Sequence, residues 1–242
     1  MQDSKTIKDQ LKENYPYKIE LHAHTTPVSF CGEASPEELV KIYSELGYHG
    51  IVITNHFFQD GKGKSKEEYL EWYIKDYEDA KSFSEKYGIS VLLGAEVKFS
   101  ENLNDYLIYG VDYDVLSMVY DYLDKGLEIF RREVKLENSL LIQAHPFRSG
   151  MTLMNPELLD GVETFNMHPG HNSRVAFALG YAKENNFTIT TAGSDFHHLN
   201  IKHEGTSALR VNKPLTDSFE VANILRQKDY VLEIGGEAIV LP

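Results

Sequence analysis

The chain has one cysteine, Cys31, in 242 residues. No internal disulfide is possible, and a reducing cytoplasm is the natural compartment for such a protein. It also lacks any apolar run near the roughly 20 residues needed to cross a bilayer. Residues 1–13 are polar and mixed in charge, without the apolar core of a secretory signal, so no membrane is expected among its partners. Positive charge is scarce. Against 37 Asp and Glu stand 24 Lys and Arg, a formal net charge of −13. So acidic a surface repels phosphate backbones, which argues against long nucleic acids as partners. Repeats, low-complexity tracts and Pro/Gly-rich linkers are missing too, and residues 1–242 read as one domain. The composition fits a monomer and a dimer equally.

What is present is a core and an excess of histidine. Hydrophobic residues make up 42% of the chain, enough for a sizeable interior. Short β-like runs alternate with helical stretches. Strands are expected at 18–25, 50–56, 90–99, 105–111, 140–146, 161–166 and 187–193, with a short final strand at the C-terminal end. Helices are expected at 35–46, 66–87, 121–138, 172–185 and 215–227. The first opens on Ser35-Pro36-Glu37-Glu38, which combines an N-cap, a proline at the first helical position and acids in the first turn. Gly47 and Gly88 supply helix stops. This alternation predicts a parallel sheet closing into an α/β barrel.

Polar, metal-capable residues fall at the C-terminal ends of these strands. They are His22 and His24, then His56, Glu96, His145, Glu163 with Asn166, and Asp195 with His197. In a β/α barrel those ends open onto one face, where active sites are built. His22-Ala23-His24 and Asp195-Phe196-His197 have the i, i+2 spacing that turns two side chains to one side of a strand. Glu96 ends an apolar run, where an unpaired carboxylate would be costly and a cation or an arginine is expected beside it. Each motif alone has a plain structural reading; their recurrence at successive strand ends does not.

With these residues assembled, the chain resembles the polymerase-and-histidinol-phosphatase (PHP) family of phosphoesterases over residues 18–210. The resemblance is carried by Glu20-Leu21-His22-Ala23-His24-Thr25, Thr54-Asn55-His56, Gly94-Ala95-Glu96, Ala144-His145-Pro146, Val162-Glu163-Thr164-Phe165-Asn166 and Gly193-Ser194-Asp195-Phe196-His197. It implies a distorted (β/α)7, TIM-like barrel holding two or three divalent metal ions, Zn, Mn or Fe. By that resemblance His22, His24, Glu96 and Asp195 hold one metal. Glu96 bridges to a second held with His145, and His56 and His197 hold a third. The chain departs from the family pattern at three places. The ligand after the first motif must come from Cys31, Glu33 or water. No histidine lies between His56 and His145, leaving Tyr106 or Asp112 near that position. Asn55 replaces the usual Asp.

The chemistry implied is hydrolysis of a small phosphomonoester by a metal-bound hydroxide, with Glu96 fixing two metals and Asp195 or His197 moving protons. Arg148 and Arg174 are the candidate phosphate forks. Two other readings stay open: a phosphodiesterase on nucleotides or short oligonucleotides, and a barrel that binds metal without catalysis. His49, His198 and His203 read as solvated or structural, and His168 and His171 as overhanging the site. Tyr69, Trp72, Tyr73 and Tyr77 read as a packing face. Cys31 is either a thiolate ligand or an inert thiol.

Overall fold

The computed structural model describes residues 6–59, 63–200 and 205–242. A short helix, α1 (Ile7–Asn14), precedes strand β1 (Tyr17–Ala23) and helix α2 (Pro36–Glu45). Next come β2 (Gly50–Ile53), β3 (His56–Phe57), α3 (Lys66–Lys81) and α4 (Ser84–Tyr87). The middle of the chain forms β4 (Ser90–Leu93), β5 (Ala95–Val97), β6 (Tyr106–Tyr109), α5 (Tyr113–Tyr120), α6 (Leu127–Glu133) and β7 (Leu140–Gln143). Then follow β8 (Gly161–Asn166), α7 (Val175–Glu184), β9 (Thr190–Gly193), β10 (Ser207–Val211), α8 (Ser218–Gln227), β11 (Tyr230–Ile234) and β12 (Ala238–Val240).

The strands form two six-stranded sheets, ordered β12-β11-β10-β1-β2-β4 and β3-β5-β6-β7-β8-β9. β2 runs on into β3 and β4 into β5, so two strands pass from one sheet to the other. A parallel bridge pairs Ala23 of β1 with Phe196, just beyond β9. The His24 amide donates to Phe196 O and the Phe196 amide to His22 O. One apolar cluster spans both sheets, with Ile19, Leu21 and Val52 meeting Leu107, Ile142 and Ala192. Each of the Val, Leu and Ile side chains contributes roughly 1.5–3 kcal/mol by leaving water.

Several helix ends follow from local chemistry. Ser35 and Ser65 each accept from the amide three residues on, at Glu38 and Glu68, whose side chains return the bond. These are reciprocal capping boxes. Gly88 ends α4 in the left-handed conformation, as its position predicts. The helical stretch 66–87 is broken at residues 82–83.

Three expectations are corrected. The sheets are not wholly parallel: β6 pairs antiparallel with both β5 and β7, and β10, β11 and β12 form an antiparallel extension beside β1. No single helix spans 121–138. Asp112 caps α5 by accepting from Val115 N, and the chain then restarts at Gly126 (φ 89°), where the Glu101 carboxylate accepts from Leu127 N. Of residues 187–193, only Thr190–Gly193 is strand.

Candidate metal centre

The ends of β1, β5, β7 and β9 converge, and they bring His22, His24, Glu96, His145, Asp195 and His197 together, all buried. His56 joins them at the start of β3, where it pairs in register with Glu96. The imidazole centroids stand close: His24–His197 4.1 Å, His24–His56 4.6 Å, His22–His24 5.1 Å and His22–His145 6.0 Å. Two of these residues hold left-handed backbone, His145 (φ 28°) and Asp195 (φ 54°). For residues other than glycine this costs on the order of 1–3 kcal/mol each, a strain that packing must sustain. Gly193 leaves the room this packing needs, because a Cβ there would lie 2.3 Å from His22 Cβ.

Glu96 is the hub. Its Oε1 lies 3.0 Å from His145 Nε2 and 3.3 Å from His22 Nε2. Its Oε2 lies 2.8 Å from His56 Nδ1 and 3.5 Å from His24 Nε2. Asp195 Oδ1 stands 3.3 Å from both His22 Nε2 and His24 Nε2. Burial opposes charge on both carboxyls. At Glu96 the attraction of His22 and His56 outweighs it, and at Asp195 that of His22 with the hydrogen bond from His197; both stay well below the usual carboxylate range. At His24 burial wins, reinforced by His197, and its pKa falls well below the ordinary value, which favours the neutral imidazole a metal needs.

The residues fit divalent cations. His22 Nε2, His24 Nε2 and Asp195 Oδ1 are buried without a hydrogen bond, three donor atoms aimed at one another's neighbourhood. Uncompensated polar atoms in an interior cost roughly 1–3 kcal/mol each, and a shared cation would satisfy all three. Three ligand groups are close enough to share an ion: His22, His24 and Glu96; Glu96, Asp105 and His145; and His24, His56 and His197. Glu163 orients the set from behind, meeting His22 Nδ1 at 2.9 Å and accepting from His145 N (3.0 Å) and Asn166 Nδ2 (3.0 Å). An imidazole held this way presents its other nitrogen in a fixed direction.

Asp105 is the member that sequence reasoning missed. It sits just before β6, with Oδ2 3.9 Å from His145 Nε2 and Oδ1 3.0 Å from Lys98 Nζ. Burial and the nearby Glu96 raise its pKa. The two residues proposed for that position lie elsewhere in function: Asp112 caps α5, and Tyr106 OH accepts from Asn104. The available signal was a carboxylate opening an apolar strand.

Asn55 also has a local reason. Its Oδ1 accepts from Thr25 N and Ser29 Oγ, while its Nδ2 donates to Thr25 Oγ1 (2.7 Å) and Asp76 Oδ2 (2.8 Å). An aspartate at 55 would face Asp76; the amide is what makes the pair attractive. Burial lifts the Asp76 carboxyl to about 6.

Arg148 reaches the cluster, where its Nη2 donates to Asp195 Oδ2 and to Asn166 Oδ1. Arg174 does not. Its guanidinium donates to Phe147 O and Ser149 Oγ, lining a surface cavity of about 530 Å³ with Phe147 and Phe177. Cys31 lies at the other rim, with Sγ 3.2 Å from His56 Nε2. Burial would raise its thiol, but hydrogen bonds with His197 and His56 bring it down to about 6. Glu33 faces away, toward His198 and the amide of Leu199. His168 is buried 5.5 Å from His197, whereas His171 is exposed. His49 accepts from Lys18 N, a structural role. Tyr69 and Tyr73 are buried packing residues, with Trp72 and Tyr77 half-buried beside them. His203 lies outside the described residues.

The chain is 26% identical over 235 aligned residues to a PolC-type DNA polymerase III from Oceanobacillus iheyensis, covering 86% of this chain and 14% of that protein. A crystal structure from Bacteroides vulgatus, of a two-domain protein containing a predicted PHP-like metal-dependent phosphoesterase, superposes with a TM-score of 0.57 at 16% identity. That match covers 90% of this chain and 65% of the other, and supports the fold. This chain thus spans about one seventh of the polymerase and under two thirds of the Bacteroides protein. The PHP domain family model matches residues 20–188, from the first motif to just short of Asp195 and His197, and the chain belongs to the PHP domain family.

Proposed function

We propose that this protein is a metal-dependent phosphoesterase that hydrolyses a small phosphorylated metabolite. The observation that carries the reading is the convergence of buried donor atoms without hydrogen bonds, His22 Nε2, His24 Nε2 and Asp195 Oδ1, around the Glu96 carboxylate. The architecture proposed for it is a distorted (β/α)7 barrel, supported by the Ala23–Phe196 bridge and by the apolar cluster common to both sheets. Among the described residues no helix is long and apolar enough to cross a membrane. A cytoplasmic location rests on the single cysteine.

His22, His24, Glu96 and Asp195 would hold one ion, Glu96, Asp105 and His145 a second, and His56 and His197, beside His24, a third. The chemistry that bound Zn, Mn or Fe supplies is acidification of water and neutralisation of phosphate oxygens. Glu96 sets the spacing of the set through its contacts with His22, His24, His56 and His145. His197 is held by its Nδ1 at 2.8 Å from the Asp195 carbonyl, which fixes the ring so that Nε2 is the atom it would offer to the third ion. Arg148 keeps further N–H donors for a phosphate while bonded to Asp195, and it is the substrate fork we favour. Arg174, at the neighbouring cavity, can meet a second anionic group of the substrate.

A second reading, a phosphodiesterase on nucleotides or short oligonucleotides, is favoured by the aromatic pair beside Arg174. Phe147 and the exposed Phe177 stack at 5.9 Å, a surface that suits a planar leaving group.

The test is metal content with a phosphoester screen, run on wild type, His22→Ala and Arg148→Ala with added manganese, zinc and iron. The expected result is two or more metal equivalents with turnover in wild type, both lost in His22→Ala, and a KM raised about tenfold or more in Arg148→Ala, as for loss of a charge-assisted bond. Bound metal with no turnover on any phosphoester would favour a barrel without catalysis. No bound metal would end the proposal.

A further inference from the structure

We infer that Cys31 is a thiolate ligand which, with His56 and His197, makes one end of the metal cluster a nitrogen- and sulfur-rich position selective for zinc over manganese. The inference rests on the metal-dependent reading above and adds a ligand and a selectivity to it.

Three independent facts converge on this position. Cys31 Sγ stands 3.2 Å from His56 Nε2, and the thiol also hydrogen-bonds with His197. His24, His56 and His197 present ligand atoms within 4.8 Å of one another. The buried His24 ring closes the group from the first ion's side, its centroid 4.6 Å from that of His56 and 4.1 Å from that of His197. The competing oxygen ligand is committed elsewhere: the Glu33 carboxylate accepts from Leu199 N at 2.9 Å and faces His198. The loop between β1 and α2 thus delivers the thiol to His56 and His197, while its Ser29 hydroxyl meets His24 Nδ1 at 3.1 Å.

The two ends of the cluster then differ in kind. Glu96, Asp105 and His145 give two carboxylates and one imidazole, a hard set that accepts manganese or iron. The Cys31 end offers imidazoles and one sulfur, which suits zinc and disfavours manganese.

Because Cys31 is the only thiol in the chain, its chemistry can be read without interference. The metal-stripped protein is reloaded with zinc or with manganese, and alkylation by iodoacetamide is timed. Zinc is expected to slow alkylation by about tenfold or more, since a coordinated thiolate is not free to attack, while manganese leaves the rate unchanged. Reloading with cobalt should give a near-ultraviolet thiolate-to-cobalt band that is absent in Cys31→Ser. Cys31→Asp, which keeps a ligand of similar reach, should retain the third equivalent, lose the band and no longer prefer zinc. Zinc bound at full stoichiometry with undiminished alkylation, or a cobalt spectrum identical in wild type and Cys31→Ser, overturns the inference and leaves the phosphoesterase reading standing. A wild-type protein that binds no zinc, manganese or cobalt overturns both.

Discussion

β7 and β6 lie side by side and feed the same ligand group from opposite ends. β7 hands over His145 after its last residues, at its C-terminal end. β6 runs the other way and contributes Asp105 from the residue before it begins. The Ala144 amide donates to the Asp105 carbonyl at 3.0 Å, which fixes the two ligands at one level. β1, β5 and β9 behave like β7 and place His22, His24, Glu96 and Asp195 at or just past their C-terminal ends. A face of functional residues is therefore defined by position in space, and strand direction decides which end of the sequence run supplies it.

That contrast can be broken most directly at Asp105. Asp105→Ala should lose the metal equivalent associated with Glu96 and His145, and turnover should fall by more than about 100-fold, beyond the range typical of outer-sphere partners. Metal analysis beside steady-state kinetics reads it; unchanged metal content would remove the reversed strand from the site.

The parallel side is braced from outside by Asp76 on α3. Its buried carboxyl titrates near 6 in the fold against an ordinary 3.8, so the fold favours the protonated form. The stability this contributes is fully present below pH 3.8 and is lost as pH rises through about 6. A shift of this size is worth roughly 3 kcal/mol. Asp76→Asn keeps an acceptor for Thr25 and Asn55 and should flatten the denaturation midpoint across that window; an unaltered pH profile would place the titration elsewhere.

At the end of β9, Gly193→Ala puts a methyl 2.3 Å from His22 Cβ and 2.6 Å from Glu163 Oε1. Overpacking of this kind costs typically about 1–3 kcal/mol, which thermal unfolding would register. The smallest effect sharpens the comparison as a control. Asp112 follows β6 at the end where a parallel strand would have carried its ligand, but it only caps α5. Asp112→Ala should cost about 1 kcal/mol of stability and leave metal content untouched; a lost equivalent there would reverse the assignment.

The sequence was legible where direction and period agreed. Tyr17–Ala23 alternates apolar with polar residues, Gly161–Asn166 sets Val162 and Phe165 around Glu163 and Thr164, and both appear as strands whose C-terminal ends reach the site. Ser35, Pro36 and Gly88 declared their roles because capping chemistry is local. Asp105 is illegible in the sequence because a strand's direction depends on pairing across the sheet rather than on its own residues. The break between α5 and α6 was hidden for a related reason. Asp112 is the N-cap of α5, and the break at Gly126 depends on Glu101, which is brought there by the fold. Arg174 stands beside Arg148 as the weaker candidate fork in sequence, and the Phe147 carbonyl and Ser149 hold it outside the cluster. Contacts of that kind have no trace in spacing.

The passage of two strands between sheets has a mechanical consequence. Backbone runs unbroken from Ile53 into His56 and from Leu93 into Ala95, and β2 pairs with β4 in one sheet as β3 pairs with β5 in the other. Sliding one sheet along the other would load two covalent chains in parallel, like a double-stitched seam, instead of peeling apart a row of hydrogen bonds. His56 and Glu96 sit just beyond that seam, where two covalent crossings oppose shear between the sheets.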